Sequence, residues 1–425
     1  MSLTLLILFL LTLAIGMPVA VCLGLSSAVV IVAYGLPVNV LAQRAVNALD
    51  STPLLAVPLF ILAANLLTAM GVTTHLFDFV RLLVGRVRGA VAQVSILVSL
   101  VFSGVSGAAL ADIGALGAIQ INQMKKQGYR EDFAAGITIA AATIGPIFPP
   151  SIPIIIYASV ANVSAVKLLL AGIVPAILIT LLLMVQVAIT ARLKNLPRDD
   201  VTPSLAAIAR KFVISLPAIL APVLLIGGLM SGYFGPTEVA GVTVAYALFI
   251  GLFIYRSLDW RGIVRSLQET VEATGSILFI VSTAALFAWV LTMDRVPVTV
   301  SAFLLGLSDN PLFLLLLVNI LLLVVGMVLE SIAAILIIAP IIAPALAAAG
   351  VDPLQLGIVF VLNLMIGLLT PPVGMSLYMV SIVAKMPVHT VIRGTLPFLI
   401  SLMLSLLAVT LIPAISTWLP NYMVQ

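Results

Sequence analysis

Apolar stretches long enough to cross a hydrocarbon core ~30 Å thick, at ~20 residues per crossing, recur from Leu3 to the C-terminus of this chain. Gly, Pro and short basic patches interrupt them. Lipid must be the main solvent, because 63% of the 425 residues are hydrophobic and 8% charged, too little polar material to cover a soluble globule of this size. Roughly ten to fourteen crossings or re-entrant pieces are expected on the ~20-residue rule. Backbone groups in hydrocarbon need internal partners, so the expected fold class is an all-α membrane protein, a multi-span helical bundle. Nothing polar follows the first apolar run, Leu3 to Ala20, which therefore reads as a retained helix and not a cleaved signal. The single cysteine, Cys22, reads as a small buried hydrophobe. The net charge of +4 comes from Lys and Arg in short loops, the bias of a cytoplasmic membrane face and no sign of a nucleic-acid partner.

Sliding the sequence against itself exposes an internal repeat. Gly145-Pro-Ile-Phe-Pro-Pro150 matches Gly367-Leu-Leu-Thr-Pro-Pro372 at an offset of 222 residues, and Gly104 matches Gly326 at the same offset. Charge then orients the halves. The clusters Arg81, Arg86, Arg88 and Lys125, Lys126, Arg130 have repeat mates without Lys or Arg, while Arg256 and Arg261 fall opposite Tyr34 and Asn39. Equivalent loops on opposite sides of the membrane imply two inverted-topology repeats, residues 1–200 and 201–425. The polar link from Arg192 to Lys211 divides them and is expected to be cytoplasmic, with both termini outside.

In each half a Pro-Pro pair interrupts helix-length apolar sequence, Gly136 to Ala161 and Gly357 to Ala384. Each break frees carbonyls of the preceding turn. Paired breaks at equivalent repeat positions point to a substrate and ion site near the midplane. Free carbonyls suit Na⁺, and the N-termini of the following half-helices favour an anion. Ser103 and Ser106 lie in the Gly-rich segment Phe102 to Gly107, and Thr370 directly precedes the second Pro-Pro. Two earlier stretches, Ser51 to Gly71 and Thr274 to Met293, align at the same offset and read as re-entrant hairpins. A transport domain of discontinuous helices and hairpins, about residues 50–72, 102–161, 273–297 and 326–384, is expected beside a scaffold. Asp112, Glu238, Glu269, Arg295 and Glu330 are costly within apolar segments, at ~2.5 to 3.5 kcal/mol each at a helix centre, so any that are central line a pathway. Candidate substrate contacts are Asn65, Asp112, Ser151, Arg295, Glu330 and Asn363.

Five segments taken in order resemble the large membrane subunit of a TRAP transporter, the tripartite ATP-independent periplasmic type: Asp50 to Phe60, Phe102 to Gly107, Gly145 to Pro153, Gly235 to Ala240 and Gly367 to Gly374. The resemblance covers almost the whole chain. It implies an elevator-type, Na⁺-driven importer of organic acids in a bacterial inner membrane, with Na⁺ as coupling ion and no other cofactor. Its implied partners are a small four-helix membrane subunit, a periplasmic substrate-binding protein and membrane lipid. Carried over by motif, one sodium site uses Ser106, Gly145, Phe148 and Pro150, and its mate uses Gly326, Gly367, Thr370 and Val373. Ala108 stands where the family often has a second serine. Glu330 stands at a usual acidic position, and Arg295 resembles an arginine near a hairpin end.

The nearest rival within transporters is a stand-alone Na⁺/carboxylate symporter of similar design. A rival of another class is an intramembrane serine protease, since Gly104-Val-Ser-Gly107 contains a Gly-x-Ser-Gly element. Such a serine needs a base, and the two histidines, His75 and His389, lie near segment ends. No His-Glu-x-x-His pair or Walker-type phosphate loop occurs, so neither a metalloenzyme nor an ATPase is expected.

Overall fold

The structure, a computed structural model, describes residues 1–85, 87–199 and 204–423; Arg86 lies outside them. The described residues form helices joined by short turns, with one isolated bridge between Arg88 and Arg198 and no strand. Among them seven helices are long and apolar enough to cross a membrane: Thr52–Ala69, Ala165–Leu193, Leu205–Met230, Pro236–Ile254, Trp260–Met293, Ser331–Ala348 and Val388–Leu411. Their outward faces are apolar as well. Leu181, Val185 and Ile189, one helical turn apart, are 55%, 55% and 54% exposed, a stripe suited to lipid or to a membrane partner.

Local sequence sets where several helices start. Asn310, Asp352 and Asp259 cap the helices Pro311–Gly326, Pro353–Gly367 and Trp260–Met293, accepting from N–H groups at 2.9, 2.8 and 2.7 Å respectively. A proline stands in the first turn of the first two, where its missing N–H costs nothing.

The helix boundaries of the second half follow those of the first at the 222-residue offset. Ala90–Ser106 corresponds to Pro311–Gly326, and residues 109–126 correspond to Ser331–Ala348. Glu131–Ala142 and Ile152–Ala161 correspond to Pro353–Gly367 and Met375–Ala384. The interruptions therefore fall at residues 143–151 and 368–374, around the cis peptides Pro149–Pro150 and Pro371–Pro372.

Helical hairpins are present, but elsewhere than expected. The run Ser51 to Gly71 is a single rod, a 3₁₀ turn Thr52–Leu55 continuing into Ala56–Ala69. Pro53 and Pro58 sit in the opening turns, where they need not break anything. Thr274 to Met293 is the C-terminal part of the 34-residue helix Trp260–Met293, which contains no proline. The hairpins are instead residues 90–126 and 311–348. The first reverses at Gly107, whose φ of +65° favours glycine, and Gln120 reaches back across it to the Ser99 hydroxyl at 3.1 Å. The second reverses at residues 327–330.

Basic loops gather at one end of the bundle. Arg81 holds Asp199 of the inter-half link at 2.5 and 2.7 Å, Arg88 donates to Asn195 at 2.7 Å, and Tyr129 donates to the Pro197 carbonyl at 3.4 Å. Lys125–Glu131 and Arg130–Asp132 pair beside them, at 2.6 and 2.5 Å. By the positive-inside rule this is the end expected to face the cytoplasm.

A close helix crossing lies just inside it. A Cβ on Gly136 would overlap the Gly394 carbonyl oxygen, and one on Gly394 would overlap the Asp132 carbonyl oxygen. Small residues at helix crossings let backbones approach where no hydrophobic force drives association. Gly136→Leu is therefore expected to cost at least ~1–3 kcal/mol by overpacking. It should lower the melting temperature of the purified protein, whereas Gly241→Ala, with nothing within 4 Å of the added carbon and a better helix former in place of glycine, should leave it unchanged or raise it. Equal melting temperatures for both variants would contradict the packing described.

Candidate functional site

The first break is covered by the first hairpin tip. A Cβ on Gly107 would overlap the Pro150 carbonyl oxygen, and Ile152 donates its N–H to the Gly107 carbonyl at 3.3 Å. The Ser106 hydroxyl donates to Asp112, whose second carboxylate oxygen, Oδ2, has no hydrogen-bond partner and lies against Gly145. The Phe148 ring lies against Gly104. Ser106, Gly145, Phe148 and Pro150 are thus drawn into one cradle with Asp112, which is 2% exposed. Ser103 is buried one turn below, its hydroxyl spent on the Leu100 carbonyl at 2.7 Å.

The second break is built alike with different side chains. Gly326 and Gly367 meet backbone to backbone, and Gly374 donates its N–H to the Met327 carbonyl at 3.1 Å. Thr370 stands at the turn with its hydroxyl on the Ile366 carbonyl at 2.8 Å, and Val373 follows, 38% exposed. At the tip Glu330 caps the outgoing helix, accepting from the N–H groups of Ile332 and Ala333 at 2.9 and 3.2 Å and from the Ser331 hydroxyl at 2.8 Å.

Between the two tips lies a cavity of about 330 Å³. Ala108, Ala109 and Leu110 of the first tip face Glu330, Ser331 and Ile332 of the second across it. Pro146, Ile152 and Pro153 of the first break and Met365 and Leu368 of the second close its floor, and Ala273, Ile277 and Ile280 of the long helix form the remaining wall. Both hairpins and both breaks therefore converge on one space. Of the candidate substrate residues, only Glu330 lines it.

Asp112 stands in the first cradle, and the other candidates lie away from the cavity. Asn65 donates to Thr270 at 3.0 Å and ties Ala56–Ala69 to the long helix. Asn363 donates to Asn319 at 2.7 Å and Asn319 to Thr410 at 2.9 Å, a buried chain linking three helices. Ser151 donates to the Pro146 carbonyl and accepts from Ile154 N–H at 3.2 Å, closing the first break and capping the half-helix after it. Arg295 is exposed at the N-cap of Val296–Leu307, with φ +56°. Glu269 pairs with Arg265 at 2.9 Å on an exposed face, and Glu238 occupies the first turn of Pro236–Phe249.

Sequence reasoning missed Ser331, Met365, Leu368 and the isoleucines of the long helix. The signal available was the register itself, since 109–126 and 331–348 align at the repeat offset and mark two tips that must face something. The serine-nucleophile reading fails on geometry. Ser106 is hydrogen-bonded to Asp112, while His75 stacks on Tyr255 with ring centroids 5.7 Å apart and His389 sits with Arg130 and Arg393.

Residues 6–415 match the family described as "Tripartite ATP-independent periplasmic transporter, DctM component". The chain is 40% identical over 410 residues to the large permease protein of a sialic acid TRAP transporter from Vibrio cholerae, covering 96% of this chain and 95% of that one. It is 41% identical over 405 residues to the large permease protein of a C4-dicarboxylate TRAP transporter from Pseudomonas aeruginosa, covering 94% of each. A longer sialic acid TRAP permease protein from Haemophilus influenzae is 40% identical over 389 residues, 91% of this chain and 63% of that one. The crystal structure of the YdaH transporter from Alcanivorax borkumensis superposes with a TM-score of 0.66 at 16% identity, over 90% of this chain and 88% of that one, a likeness of fold alone. A multi-pass bundle with these relatives is a transporter permease of the bacterial inner membrane and not an enzyme. The chain belongs to the DctM family, the large permease component of tripartite ATP-independent periplasmic transporters.

Proposed function

We propose that this permease imports an organic acid by Na⁺ symport, with a cation at each break and the substrate in the cavity between the hairpin tips. The observation that carries this reading is the convergence of both tips and both breaks on that cavity. Substrate and ion sites of secondary transporters form where discontinuous helices of two repeats meet. Ser106, Asp112 and the backbone of Gly145, Phe148 and Pro150 hold the first ion, with Ser103 behind them. Gly326, Gly367, Thr370 and Val373 hold the second. These are hard oxygen donors throughout, as an alkali cation requires.

The residues 1–200 and 201–425 act as inverted repeats. Hairpins and broken helices, now bounded as 90–161 and 311–384, move together as an elevator against a scaffold that includes the helix Trp260–Met293. If two Na⁺ accompany a monoanion, the membrane potential contributes ~2.3 kcal/mol per 100 mV and two tenfold gradients ~2.8 kcal/mol. The total, ~5 kcal/mol, sustains roughly a few-thousand-fold accumulation without ATP.

A small four-helix membrane subunit and a periplasmic binding protein complete the system. The longer Haemophilus relative, of which this chain covers 63%, supports a second membrane component joined to the permease. Uptake of labelled organic acids into proteoliposomes is expected to require this chain, the small subunit, the binding protein and an inward Na⁺ gradient. Uptake without a binding protein would favour a stand-alone symporter.

Ser106→Ala and Thr370→Ala each remove one oxygen donor and should raise the Na⁺ concentration for half-maximal uptake by about tenfold, given ~1–1.5 kcal/mol per lost interaction. Gly145→Pro should be worse, since it fixes φ where the helix opens. An unchanged Na⁺ dependence in both single variants would contradict the assignment.

A further inference from the structure

The walls of the cavity between the hairpin tips say which acids it can take. Resting on the assignment of that cavity as the substrate site, we infer that the cargo is a small monocarboxylate with an apolar aliphatic body, and neither a polyhydroxylated acid nor a dicarboxylate. No Lys, Arg or His is among the lining residues. Glu330 and Ser331 bring the only polar side chains, and both are engaged: the Ser331 hydroxyl donates to Glu330, and the other Glu330 oxygen accepts two backbone N–H groups. The remaining walls are hydrocarbon, Ile152, Ile277, Ile280, Met365 and Leu368 among them. Hydroxyl groups placed there would leave water without finding partners, which is unfavourable for each group buried. A second carboxylate would meet no cation and would face Glu330. At about 330 Å³ the space is at the lower end of ligand cavities.

One carboxylate is nevertheless accommodated, and the molecule contains its own template. At the second tip the Glu330 carboxylate sits on the first N–H groups of Ser331–Ala348. Its repeat mate at the first tip, 222 residues earlier, is Ala108, and no side chain caps the helix that continues from Ala109 to residue 126 through a π-bulge at Ile113–Gly117. The opening N–H groups of a helix have no partner within it. Ala108, Ala109 and Leu110 line the cavity, so the substrate carboxylate occupies at this tip the place that Glu330 fills at the other, and its apolar body lies against the isoleucines opposite.

Binding to the full chain in lipid nanodiscs tests this, with 4-methylpentanoate, succinate and N-acetylneuraminate as probes in saturating Na⁺, followed by calorimetry and by melting temperature. The branched monocarboxylate is expected to bind at least about tenfold more tightly than either other acid, the cost of one unpaired buried polar group. Ile277→Trp, which fills the cavity, should abolish that binding; Ala109→Leu on the facing wall repeats the test should Ile277→Trp not fold. Succinate or N-acetylneuraminate binding as tightly or more tightly, and lost in the cavity-filling variants, would overturn the substrate class while leaving the cavity as the site. Binding of any of the three that both folded variants leave intact, or no binding of any, would overturn the cavity assignment and this inference with it.

Discussion

Every backbone amide and carbonyl within hydrocarbon must be satisfied by protein, and the two proline breaks put that rule under strain at two places in this chain. Each break survives because a hairpin tip is folded onto it. Gly107 and Pro150 touch at the first, Gly326 and Gly367 at the second, and a single N–H to carbonyl bond, from Ile152 to Gly107 or from Gly374 to Met327, links tip to break in each. The surrounding helices exist to hold these two contacts in place. Glycine pairs, buried asparagines and short serine bonds do so without the hydrophobic force that water would supply between helices.

The two halves share a backbone plan but not a chemistry. Asp112 stands in the first cradle where Ala334 occupies the second half's equivalent position, and Thr370 stands at the second break where the first has Phe148. At the tips Glu330 answers Ala108. On the proposed reading, these differences let one fold hold two cations in unlike cradles while leaving one tip free to take a carboxylate. The apolar floor and the long helix then decide what that carboxylate is attached to, and the exclusion of water from so small a space makes every unsatisfied polar group on a wrong cargo count.

Much of this was legible in the sequence. The composition and the recurring apolar runs fixed a helical membrane bundle, and Gly145-Pro-Ile-Phe-Pro-Pro150 with its mate located both interruptions. Charge asymmetry grouped the loops that Asp199 and Arg81 bind together. The hairpins were misplaced because Pro53 and Pro58 look like breakers, yet a proline in the opening turn of a helix removes no bond that the helix makes. Asn65 and Asn363 lie away from the cavity and make helix-to-helix hydrogen bonds, to Thr270 and Asn319, that no local sequence pattern announces. The cavity wall from Ala273 to Ile280 carries no local mark at all, since its role arises only when residues more than a hundred positions apart come together.

The account turns on two cation cradles acting together, and the ratio of Na⁺ to substrate moved per cycle tests that most directly. It is read in proteoliposomes from the membrane potential at which net uptake of the transported acid reverses, at a series of imposed Na⁺ gradients. A reversal potential that shifts as two coupled Na⁺ require is the predicted result. A shift corresponding to one Na⁺, or none, would contradict the claim that both breaks carry a coupling ion.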